Sequence, residues 1–138
     1  MSDLFSYFDG TLEEFLQIVP FNSSRLIKCK LDIPSSGGYI HVIDNYAFHH
    51  IMRRHGSQKE LLRGQEPITI KDMLDIGTII LSPDSVLSGK CNNGNDALIY
   101  SKRIGDMNYT LIQEVRKGHK ELAVSTLYKQ RKKETHRR

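Results

Sequence analysis

Apolar positions recur at helical spacing in three stretches of this chain and at strand spacing in five. The first helical stretch is LEEFLQIV, residues 12–19. Thr11 is placed to cap it, Glu14 three residues on completes a capping box, and Pro20 ends it. Arg25–Ile33 alternates as a strand, residues 34–38 read as a turn, and Tyr39–Ile43 is a second short strand. Asp44 or Asn45 caps a helix from Tyr46 to His55, which Gly56 stops. Residues 64–67 form a loop, and Thr69 caps a third helix, IKDMLDIGTIIL, that closes by Ser82-Pro83. After a turn-rich hinge at Lys90–Asn95, Ala97–Ile104, Tyr109–Lys117 and Glu121–Tyr128 read as antiparallel strands joined by turns at Gly105-Asp106 and Lys117-Gly118. Helices come first and a β-meander follows, so the expected class is α+β.

The chain's 138 residues suit a single domain, expected over residues 1–128. No apolar run approaches the roughly 20 residues of a membrane span. The start, MSDLFSYFDG, lacks the basic region of a secretory signal. The two cysteines, Cys29 and Cys91, form no CxxC pair and read as reduced thiols. These features fit work in a cytoplasm, including that of a target cell reached by a separate delivery machine.

Charge changes the picture at one end only. Of the net +4, residues 129–138 carry six Lys or Arg and one Glu, while the remaining residues carry 14 basic against 15 acidic. A basic, disordered tail is expected there, and Lys129, Arg131, Lys132 and Lys133 are candidate contacts to a phosphate backbone. The alternative is a tail that is merely solvated.

The sharpest chemistry sits in FHHIMRRHG, residues 48–56. At 100° per residue, Ala47, Phe48, Ile51 and Met52 form an apolar stripe that His55 continues inward. His50, Arg53 and Arg54 cluster on a flank of that stripe. A histidine can move a proton near neutral pH and an arginine can fork onto a phosphate. The plain alternative is a polar helix end with His55 hydrogen-bonded in the core. Zinc is disfavoured: His50 and His55 are five apart with no Glu between, so their rings diverge by roughly 140°. On the last strand, alternation places Val124, Thr126 and Tyr128 on one face. On its neighbour, Tyr100 and Lys102 share a face. No GxSxG, Walker A or GxGxxG motif is present.

Taken in order, these pieces resemble the barnase–EndoU–colicin–RelE (BECR) group of nucleases, especially its phage-associated branch. The branch shows an H-[IV]-x-x-[RK]-H helix, a D-[IVLM]-x-x-[IL] helix followed by P-D, a strand bearing Lys, and a late v-x-T-x-Y strand. Here these are His50-Ile51-Met52-Arg53-Arg54-His55, Asp72-Met73-Leu74-Asp75-Ile76 with Pro83-Asp84, Tyr100-Ser101-Lys102-Arg103, and Val124-Ser125-Thr126-Leu127-Tyr128. The resemblance spans residues 39–129. For residues 1–38 it leaves a cap, an extra strand or an entry domain open.

The resemblance implies helices packed on about four antiparallel strands. It also implies metal-independent, cofactor-free RNA cleavage by attack of the 2′-OH on the adjacent phosphate. His50 or His55 would be the acid–base group, Lys102 and Arg54 would steady the phosphorane charge, and Thr126 and Tyr128 would bind phosphate or assist proton transfer. Arg53, Tyr100 and Arg103 would join the tail in binding RNA, tRNA being one candidate target. Such domains serve as toxins in bacterial competition or phage conflict, restrained by an immunity or antitoxin protein. The competing readings are a non-catalytic nucleic-acid- or partner-binding module and an ADP-ribosyltransferase-like enzyme that uses NAD.

Overall fold

The computed structural model describes residues 5–20, 23–34 and 37–131. Thr11 and Glu14 make the expected capping box and start helix α1, Leu12–Ile18, which buries Phe15 and Leu16. Strand β2, Leu26–Lys30, and strand β3, Ile40–Asp44, follow. Asp44 caps helix α2, Asn45–His55, by accepting the Ala47 N–H at 2.7 Å. Thr69 and Asp72 form a second capping box.

Beyond it the single expected helix is broken. At Asp75 the backbone tightens to an i→i−3 bond with Asp72 and separates α3, Ile70–Leu74, from α4, Ile76–Leu81. A 3-10 helix, Gln58–Arg63, fills part of the connection between α2 and α3.

The expectation of about four antiparallel strands does not hold, because the sheet has seven and is mixed. Two strands escape the sequence pattern: β1, Phe5–Tyr7, and β4, Ser85–Lys90. Strands β5, Asp96–Ile104, β6, Met107–Arg116, and β7, Glu121–Arg131, complete it. The order is β1-β2-β3-β7-β6-β5-β4, with β1 parallel to β2 and β3 parallel to β7. Both missed strands lie at the sheet edges. β1 is three residues long, and β4 is mostly exposed, so neither shows the alternation that burial of one face imposes.

The N-terminal segment therefore supplies strands and core to the same body: Phe15 and Cys29 are fully buried in the cluster that also holds Phe48, Ile76 and Leu111. The other end is corrected too. β7 runs through Arg131, so Lys129 and Arg131 are strand residues rather than tail, while Lys132 and Lys133 lie outside the described residues.

Candidate active site

α2 carries its apolar stripe as its periodicity demands. Phe48 and Ile51 are buried, His55 continues the stripe inward, and His50, Arg53 and Arg54 are exposed. The helix ends at Gly56, and that position must be glycine because a Cβ there would come within 2.4 Å of the Met52 carbonyl oxygen that the Gly56 N–H bonds. β3 pairs with β7 only over Glu121–Ala123, and the chain then turns into α2, which packs chiefly on the rest of β7. This places the histidine helix against the Ser-Thr segment.

The alternation expected on β7 is interrupted there. Gln113 faces Val124 and Ile112 faces Thr126, so Ser125 is an extra residue, a β-bulge. Val124 consequently joins Leu127 in the core instead of sharing a face with Thr126. Thr126 and Tyr128 stand opposite Ile112 and Thr110, on the face away from that core. The Ser125 hydroxyl donates to the Ile112 carbonyl at 3.2 Å. A cleft of about 430 Å³ results, lined by His50, Ser125, Thr126, Ile112, Glu114 and the β4–β5 turn, Lys90–Asn93.

One wall of the cleft is organised by Glu114. This buried carboxylate accepts from Asn93 Nδ2 and Asn95 Nδ2, each at 2.7 Å, and from Arg116 Nε at 2.8 Å. Burial raises its pKa, but the bonds from Asn93, Arg116 and Asn95 outweigh this and hold it below the ordinary value. The opposite happens to the thiol of Cys91, which burial and then the Glu114 charge push up, so it stays protonated at neutral pH. His50, exposed at its rim but partly desolvated by the cleft wall, is pushed below 6.5, first by that desolvation and then by the positive charges of Arg54, Arg53 and His55. At neutral pH it is an unprotonated imidazole, ready to accept a proton.

His55 occupies a different setting. Its Nδ1 lies 2.7 Å from Glu60 Oε2, and Arg63 Nη1 donates to Glu60 Oε1 at 2.6 Å. Tyr128 lies over the imidazole with ring centroids 5.6 Å apart. Sequence reasoning missed Glu60, because nothing in QKELLR marks one carboxylate as fully buried.

Other candidates lie apart from the cleft. Lys102 stands opposite Tyr109, on the core side of the sheet, with Nζ 3.4 Å from Ser82 Oγ and 3.8 Å from Asp84. The lysine that lines the cleft is Lys90, paired with Asp96 at 2.5 Å. Tyr100 is buried and donates to Gln113 Oε1 at 2.6 Å, so it is not an exposed RNA contact. Arg103 is exposed and bonds the Gly105 carbonyl. Lys129 is nearly buried against Asp72 at 2.8 Å, and Arg131 pairs with Asp106. Among the described residues no three His, Cys, Asp or Glu side chains gather as a metal-ligand set.

A family model described as phage-Barnase-EndoU-ColicinE5/D-RelE like nuclease3 matches residues 17–137. The chain belongs to this family. The match starts well before Tyr39 and so takes in β2 as well as the histidine helix and the late strands. No curated protein and no solved structure matches the chain. Membership in this BECR-like nuclease family points to a nuclease.

Proposed function

We propose that the protein is a metal-independent endoribonuclease toxin that cleaves RNA by attack of the 2′-OH on its own 3′-phosphate. The observation that carries this reading is the cleft that joins His50 to Ser125 and Thr126. Transesterification at phosphorus needs a base for the 2′-OH, donors for the developing charge and an acid for the leaving 5′-oxygen. A neutral His50 meets the first need. Arg54, one turn along the helix, Thr126 and the Asn93 amide suit the second. His55 is the candidate for the third. Lys102 has no place in this scheme, and Lys90 takes the part of the cationic side chain at the rim.

Such a toxin would act in a cytoplasm and would require an immunity or antitoxin protein in the cell that makes it. Among the described residues no helix is long and apolar enough to cross a membrane. Incubation with total RNA in EDTA, followed by gel and end-group analysis, tests the reading. Products ending in a 2′,3′-cyclic phosphate are expected. Activity that disappears on chelation and returns with added divalent metal would overturn it, as would equal cutting of DNA, which has no 2′-OH.

A further inference from the structure

The buried carboxylate beside His55 carries that scheme one step further. Glu60 is fully buried, and a carboxylate survives burial only with partners that replace water. Both its oxygens are engaged, one by His55 Nδ1 and the other by Arg63 Nη1. Arg63 also donates to the Arg54 carbonyl at 3.2 Å, which ties the 3-10 helix back onto the last turn of α2. A carboxylate accepts, so the proton on that edge of the ring belongs to Nδ1. Nε2 bonds none of the described residues. Gln65 Oε1 is the one fully buried side-chain polar atom among them without a partner, so Nε2 keeps a small exposed edge on a ring that is otherwise buried. Tyr128, two residues past Thr126 on the same strand face, lies against the ring.

The geometry points to Glu60 as a positioning residue that clamps His55 so that a protonated Nε2, beside Tyr128, acts as the general acid while His50 acts as the base. This rests on the ribonuclease reading and divides its labour. The charged and titratable groups around His55 are Glu60 and, through it, Arg63 on the 3-10 helix, Tyr128 on β7, and His50 and Arg54 on α2. His50 has cations for neighbours and is held neutral, whereas His55 has a carboxylate on one nitrogen. Environments that differ in this way separate acid from base. In the step, His50 removes the 2′-OH proton, the 2′-oxygen bonds to phosphorus, and the P–O5′ bond breaks. His55 Nε2 delivers its proton to the departing 5′-oxygen. The products are a 2′,3′-cyclic phosphate and a 5′-hydroxyl, and exchange with water resets both rings.

The experiment compares two substrates and one spectrum. A p-nitrophenyl ester of uridine 3′-phosphate expels p-nitrophenolate, which needs no proton, whereas an RNA dinucleotide needs one. Glu60→Gln is expected to slow dinucleotide cleavage by about 100-fold, the usual worth of a general acid, and ester cleavage by only a few-fold. Glu60→Asp, which keeps the carboxylate, should restore part of the loss. In the wild-type protein, ¹⁵N NMR should find the neutral His55 ring protonated on Nδ1. Equal losses on both substrates would overturn the proposal. So would a wild-type His55 whose neutral form is protonated on Nε2, a result that needs no variant to fold. A wild-type protein that cleaves neither substrate would overturn the ribonuclease reading and the acid role with it, while the NMR result would still decide how Glu60 orients the ring.

Discussion

On α2, His50 lies exposed beside two arginines at the mouth of the cleft. His55, five residues on, is buried with a carboxylate on one ring nitrogen. The two side chains are chemically identical and share one rigid helix, so their surroundings alone separate them. His50 can exchange protons with little effect on packing. His55 cannot be removed without leaving one buried oxygen of Glu60 unpartnered.

The largest effect expected from breaking this comparison is at His50. His50→Ala should lower RNA cleavage by about 100-fold or more, as for loss of a general acid or base, with an almost unchanged melting temperature. Cleavage at the wild-type rate would move the site off this part of the helix. His55→Ala should instead lower activity and stability together. Leaving a buried carboxylate without this partner costs on the order of 3 kcal/mol, visible in urea unfolding. If the two variants unfold alike, the contrast between exposed and clamped histidine is wrong.

A pH profile sharpens the same contrast. Because the folded pKa of His50 lies below 6.5, the acid limb of kcat/KM should fall below that value and move up toward it in Arg54→Gln. His41, buried and accepting from Gln113 Nε2 at 2.9 Å, is also held below 6.5, by burial. For both rings the unfolded chain binds protons first. Their contribution is therefore present above pH 6.5 and lost as pH falls, and the melting temperature should drop on acidification through this range.

Smaller effects separate the two faces of the late strands. Thr126→Ala, at the cleft, should reduce cleavage by more than Lys102→Ala, which removes a side chain on the core side of the sheet and should leave the rate within a few-fold of wild type. Equal losses would mean that Lys102 reaches the substrate after all. Smallest of all, deleting residues 132–138 should flatten the dependence of log K on log salt for RNA binding without changing the cleavage position. An unchanged slope would assign the electrostatic contact to the body of the protein.

Local physics made much of this legible beforehand. The capping box at Thr11 and the cap at Thr69, and the inward turn of His55 against the outward turn of His50, depend on residues within about one helical turn, and they stand where the pattern puts them. The α+β class and three late strands follow from periodicity, and the order of short motifs carried the family.

What escaped depends on contacts between residues far apart in the chain. β1 and β4 exist because β2 and β5 offer open edges, not because their own sequences alternate. The Ser125 bulge arises from the register of β7 on β6, and that one extra residue decides that Thr126 lines the cleft with His50 while Val124 enters the core. Glu60 becomes a partner of His55 only when the 3-10 helix folds back on α2, and Lys102 faces away from the cleft because its strand is fixed opposite Tyr109. A sequence by itself determines where its periodic faces and caps lie, since those interactions span a few residues. Which faces meet, and with what register, is decided by packing of the whole sheet, because a single-residue shift reverses every side chain beyond it.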